Sequence, residues 1–266
     1  MRKKRLLKWL VLLLVTLGMY LAYQFHVNPE AGKTAEQLLE TIRQVLVLKK
    51  DSSGNREVSD NETPDSYELP LLSLEELPEY EGAGYVAVNG NQPYFETKYL
   101  VPMPFEYYSE LDALGRCGPA YACLGKELMP TEERGSISSV KPTGWKSTKY
   151  DWISGGNLYN RCHLIGFQLS GENANEKNLI TGTRYMNVES MLLFENMVAD
   201  YIKETGNHVL YRVWPVFEGN NLVASGVLME GWSVEDKGAG ICFNVYVYNI
   251  QPGVEIDYAT GESRAE

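Results

Sequence analysis

The 266-residue chain is long enough for one domain of about 180 residues with extensions and a substantial core. Its 24 Lys and Arg against 35 Asp and Glu give a net charge of −11. That excludes a uniformly basic surface, so any polyanion would have to be met by a local patch.

Arg2, Lys3, Lys4 and Arg5 precede an apolar run from Leu6 to Phe25, close to the roughly 20 residues that a spanning helix needs. A cleaved signal peptide has a shorter core and a small-x-small site, and Tyr20-Leu21-Ala22-Tyr23 offers none. Residues 1–26 therefore read as an uncleaved signal anchor or transmembrane helix. The basic cluster would hold the N-terminus in the cytoplasm, leaving a single-pass protein with its bulk outside the cell membrane; cleavage would make it secreted. In residues 27–79, Leu38, Leu39, Ile42, Val45 and Leu46 predict a stalk helix over Glu36–Leu48. Asp51–Ser66 is polar and without periodicity, an acidic linker.

The domain proper is placed at 80–266. Tyr85–Val88, Asn89-Gly90 and Asn91–Phe95 predict a hairpin on a type I′ turn. A short helix is expected after Pro104, with Tyr107, Leu111 and Leu114 inward and Gly115 as its stop. The four cysteines allow a Cys117–Cys123 bridge or small buried thiols, and sequence does not choose. They contain no Cys-x2-Cys pair, which argues against zinc. From Met129 to Trp152 the chain is loop-rich and carries Arg134, Lys141, Lys146 and Lys149. These form a candidate phosphate-contacting surface or an ordinary solvated loop.

Gly155-Gly156 then signals a turn before a strand containing Tyr159-Asn160-Arg161-Cys162-His163. Strand alternation sets Arg161 and His163 on one face, Asn160 and Cys162 on the other. An imidazole beside a guanidinium suits phosphodiester chemistry: one takes a proton from water, the other neutralises phosphate. After a polar loop come Asn178, Arg184 and Asn187, then a helical pattern from about Val188 to Glu204 with Gly206 as stop. Asn187, Met191 and Glu195 share roughly one helix face. An amide oxygen and a carboxylate there could hold a hydrated hard cation. Asn187 could equally cap the helix, since both roles need the same oxygen. His208–Val216, Asn221–Met229, Ile241–Ile250 and Gly253–Tyr258 read as further strands, followed by a polar tail after Thr260. The fold class is therefore α+β.

Asn160-Arg161-Cys162-His163, Asn178, Asn187 nine residues on, and Glu195 eight beyond that together resemble the DNA/RNA non-specific endonucleases, and within them the DNA-entry nuclease branch. The family pattern is Asp-Arg-Gly-His, two Asn nine residues apart and a Glu eight after the second. Asn160 and Cys162 depart from it. The resemblance spans roughly Gly84–Tyr258. It implies a ββα-metal (His-Me finger) core, a mainly antiparallel sheet packed on the site helix, here preceded by an N-terminal membrane helix. It also implies sequence-independent cleavage leaving 5′-phosphate ends.

On that resemblance His163 is the general base. Asn187 holds Mg²⁺ or another divalent cation. Glu195 orients water at the metal, Arg161 stabilises charge on the phosphate, Asn178 supports the site and Arg184 contacts substrate. Arg116 and Lys149 are weaker candidates for phosphate contact. The partner is DNA, with RNA left open, and the membrane through the N-terminal helix; no nucleotide cofactor is called for. Charge distribution agrees: Arg116–Arg184 holds nine Lys/Arg against six Asp/Glu, while Tyr185–Glu266 holds four against twelve. The competing expectation is a tethered, non-catalytic DNA-binding protein on a nuclease fold.

Overall fold

The computed structural model describes residues 77–95 and 100–266; the expected membrane helix, stalk helix and acidic linker lie outside the described residues. No helix among the described residues is long and apolar enough to cross a membrane.

In chain order the elements are β1 (Tyr85–Ala87), β2 (Phe105–Tyr108), β3 (Ala120–Leu124), β4 (Tyr159–His163), the one-turn helix α1 (Phe167–Ser170), β5 (Leu179–Thr183), α2 (Leu192–Thr205), β6 (Val209–Val216), β7 (Gly226–Ser233), β8 (Cys242–Tyr248), β9 (Val254–Ile256) and β10 (Ser263–Ala265). A π-helical stretch, Tyr185–Met191, runs directly into α2. Six strands form one sheet in the order β1-β8-β7-β6-β3-β2, every neighbouring pair antiparallel. β4–β5 and β9–β10 are separate antiparallel pairs.

The sheet is buried on both faces, which is why its central strands are rich in β-branched and aromatic residues rather than alternating with polar ones. On one face α2 lays Phe194, Val198, Ala199 and Ile202 against Tyr211, Val213, Met229, Phe243 and Val245. Each of the Val, Ile, Met and Phe side chains among them contributes on the order of 1.5–3 kcal/mol by leaving water. The other face is covered by the N-terminal segment, with Leu77 against Val86, Leu228 and Tyr246 of the sheet, and Phe95 and Leu100 over Tyr121 and Leu210. Pro215 is tolerated in β6 because β3 stops pairing at Ala120↔Val213, so its missing N–H faces no partner strand. α2 ends at Gly206, in the left-handed region at φ 75°, with its N–H on the Ile202 carbonyl.

Several sequence expectations are corrected here. Asn89, Gly90 and Asn91 do adopt positive φ, but the expected second arm, Asn91–Phe95, forms no strand; β1 pairs instead with β8, Tyr85 opposite Val247. Phe105–Tyr108 is a strand against β3 and not a helix, because three aromatics in four residues suit a pleated surface beside Ala120–Leu124. The strand expected over Asn221–Met229 runs instead from Gly226 to Ser233, and the polar tail contains β10. All four cysteines are free. Cys117 and Cys123 belong to separate core clusters, and the expected bridge between them is not formed.

Across β6 and β7, Arg212 opposes Glu230 and the two form a buried ion pair, Nε to Oε2 2.6 Å. The second Glu230 oxygen accepts the Tyr94 N–H at 2.7 Å, and the guanidinium lies over Phe95. One carboxylate thus ties the N-terminal segment to the sheet. Glu230→Ala should cost about 3–5 kcal/mol, because it leaves Arg212 buried without its counter-charge; urea unfolding measures the loss, and a change under 1 kcal/mol would refute this reading of the pair.

Candidate active site

The hairpin β4–β5 sets Arg161 opposite Thr181, Cys162 opposite Ile180 and His163 opposite Leu179. The chain then enters the π-helical stretch and α2, so two strands and a helix carry the expected residues. The helix starts before Val188, which puts Asn187 inside the π-helical turns rather than at a cap. Its side-chain oxygen accepts from the Cys162 thiol at 2.9 Å. The capping alternative for Asn187 therefore falls.

His163, 6% exposed, is held at both ring nitrogens. Nε2 lies 2.7 Å from the Asn173 carbonyl, which can only accept, so Nε2 carries the proton. Nδ1 keeps its lone pair and lies 3.4 Å from Nη2 of Arg134. Burial lowers the imidazole pKa first, the Asn173 carbonyl opposes it, and the Arg134 charge lowers it further. The result is a neutral base at neutral pH with one defined acceptor nitrogen.

The turn after His163 is fixed from below by Asn178, which is fully buried. Its Oδ1 accepts the Ile165 N–H at 2.9 Å and its Nδ2 donates to the Ile165 carbonyl at 3.0 Å. Asn178 is a positioning residue. The next residue, Gly166, donates its N–H to the Glu195 carboxyl. A Cβ on Gly166 would sit 2.7 Å from all three carboxyl atoms, so only glycine lets the turn approach this closely. Burial raises the Glu195 pKa to about 7, against the lowering effects of Arg134 and the Gly166 N–H.

Arg161 reaches away from β4: Nε donates to the Val140 carbonyl, Nη2 to that of Ser138 at 3.0 Å, and the guanidinium stacks on Trp145 at 4.1 Å. It lines a groove of about 490 Å³ together with Arg134, Lys146, Arg184, Asn160 and Asn187. No carboxylate is among the residues that line it. Arg134 is the residue that sequence spacing could not find. It lies in a loop without periodicity, and only its membership of the basic loop pointed to it. Lys146 joins it in the groove, held to Glu262 at 2.6 Å. Arg116 is elsewhere, bonded to Asp112 and to the carbonyls of Gly219 and Asn221.

Cys162 turns to the helix side of β4. Its sulfur touches Asn187 Oδ1 and, at 3.4 Å, Met191 Sδ. Burial first, then the Glu195 charge, holds the thiol well above its ordinary pKa, so it is a neutral donor. Among the described residues no group of three or more His, Cys, Asp or Glu is arranged to hold a metal. The donors available are hard oxygens: the Asn187 amide, and an enclosed Glu195 carboxyl in want of positive charge. That set fits a largely hydrated hard divalent cation and not a dehydrated, thiolate-bound one.

Two measurements follow from this geometry. The folded state keeps the Glu195 proton up to about 7 where the unfolded chain releases it near 4.5. It therefore binds more protons across that window, and the protein in EDTA should lose on the order of 3 kcal/mol as pH rises through it. Glu195→Gln should flatten that slope in urea unfolding; an unchanged slope would refute the burial account. Asn178→Ala, which strands the Ile165 N–H and carbonyl, should cost about 2–4 kcal/mol by the same method.

The profile of the DNA/RNA non-specific endonuclease family matches residues 96–235. Among solved structures, NucA from Streptococcus agalactiae with magnesium ion bound aligns with a TM-score of 0.61 and 25% identity, over 69% of this chain and 87% of that one. Sda1 nuclease with bound zinc ion aligns at 0.57 and 27%, over 69% of this chain and 97% of that one. With the family profile covering more than half its length, the chain belongs to the DNA/RNA non-specific endonuclease family and is an endonuclease of nucleic acids.

Proposed function

We propose that the protein hydrolyses phosphodiester bonds of DNA, and of RNA where the groove admits it, without sequence preference and with a divalent cation, Mg²⁺ first. The observation that carries this reading is the single-acceptor imidazole of His163, pinned through Asn173 and facing Arg134 beside a groove lined by four cations. Polynucleotide phosphates would lie along Arg134, Lys146, Arg161 and Arg184. His163 Nδ1 takes the proton from a water as its oxygen attacks phosphorus, and the bond to the 3′ oxygen breaks, leaving a 5′-phosphate. Arg134 and Arg161 neutralise charge as it builds on the phosphoryl oxygens. Asn187 would hold the cation and Glu195 would orient water around it; when bound, the cation supplies Lewis-acid stabilisation of the phosphate and leaving oxygen. The N-terminal basic cluster and apolar run support an extracytoplasmic enzyme tethered to the cell membrane.

Purified protein should nick and then degrade supercoiled plasmid with Mg²⁺ and not with EDTA. His163→Ala should lower the rate at least about a hundredfold while leaving the melting temperature near that of the wild type. Because burial and Arg134 hold the imidazole below its ordinary value, kcat/KM should stay level down through pH 6.5 before falling. Folded wild-type protein that binds plasmid without cutting it would favour a tethered binding protein over the enzyme.

A further inference from the structure

The departure at Cys162 sits against the side chain assigned to the cation. An asparagine amide has two ends of nearly equal size, one an acceptor and one a donor, and only the oxygen end can meet a cation. What decides between them is the neighbour on the enclosed side. Here that neighbour is the Cys162 thiol, 2.9 Å from Oδ1, with Met191 Sδ 3.4 Å from the same sulfur. A thiol donates to an amide oxygen, but its sulfur is a weak acceptor for an amide N–H. The contact therefore favours one orientation of the amide and leaves the second lone pair of Oδ1 for the groove that Asn187 lines.

The surrounding packing is arranged for that sulfur. β5 carries Gly182 beside it, where a Cβ would come within 2.8 Å of Cys162 Cβ and 2.6 Å of Met186 Cε. Cys162 is fully buried, so its rotamer is fixed by contact on the strand side and the helix side together.

We propose that Cys162 is a positioning residue for Asn187, its thiol fixing which end of the amide is offered to the divalent cation. This rests on the assignment of Asn187 to the metal. Cys162 touches neither substrate nor reacting atoms. Its effect is on cation affinity, as expected of a group that orients a ligand from behind.

The test is Mn²⁺ binding to the full-length protein, followed by electron paramagnetic resonance in the absence of nucleic acid. Cys162→Ala should raise the Mn²⁺ Kd about tenfold, and Cys162→Ser, which keeps a donor, should restore most of the affinity. Cys162→Val fills the space without a donor and should show the same loss, which covers an alanine variant that fails to fold. In plasmid cleavage the half-saturating Mg²⁺ concentration should rise in the same variants while the rate at saturating Mg²⁺ changes little. A merely structural thiol would move the melting temperature and the saturated rate instead. Asn187→Ala separates the two levels of argument. If it abolishes Mn²⁺ binding while Cys162→Ala or Cys162→Val binds as wild type does, the positioning role is overturned and the metal assignment stands. If Asn187→Ala binds Mn²⁺ normally, the metal assignment and this proposal both fall.

Discussion

The two hydrogen bonds between the Asn178 side chain and the backbone of Ile165 are the constraint on which the site depends. A strand that carries a base at its last residue must be followed by a turn, and a turn has unpaired backbone groups that water would otherwise loosen. Asn178 meets one such donor and one such acceptor with a single planar amide, buried where no water competes. Because the amide belongs to the residue just before β5, it joins the turn after the first strand of the hairpin to the start of the second. His163 and Gly166 are each within two residues of that joint. The imidazole and the Glu195 carboxyl are thereby placed by one fixed piece of backbone.

The acidic chain and its basic groove are reconciled by how the cations are held. Arg161 is fixed by two neutral carbonyls and a tryptophan face, and Arg134 meets a neutral imidazole. Such partners orient a guanidinium without cancelling its charge, whereas the exposed Lys146–Glu262 pair gives part of its charge away. The groove keeps a positive field although the chain as a whole is negative. The family's Asp-Arg-Gly-His pattern survives here as Asn-Arg-Cys-His with that field intact. Replacing Asp by Asn160 also removes a negative charge from the groove's own wall.

The central constellation was legible because its order and spacing are local: β4, the turn and the site helix follow one another in the chain, and strand alternation and helical periodicity describe them. Even there, alternation placed Cys162 away from the chemistry, when the helix side of the strand is where Asn187 waits. The parts that were illegible depend on distant partners. Phe105–Tyr108 reads as an amphipathic helix until β3 is known to lie beside it, and Tyr85–Ala87 reads as half a hairpin until β8 arrives from the far end of the domain. Arg134 acts through tertiary placement alone, so no periodicity could mark it.

That pairing of β1 with β8 has a temporal meaning. Tyr85 waits 162 residues for Val247, which at ribosomal rates is roughly ten to thirty seconds. β4, β5 and α2 all leave the ribosome in that interval, before β7 and β8 complete the face on which α2 rests. A nascent chain therefore carries every residue of its site well before it owns a platform to hold them in register. The last strands of the sheet are thus what turns a chain that carries the residues of its site into one that holds them in place.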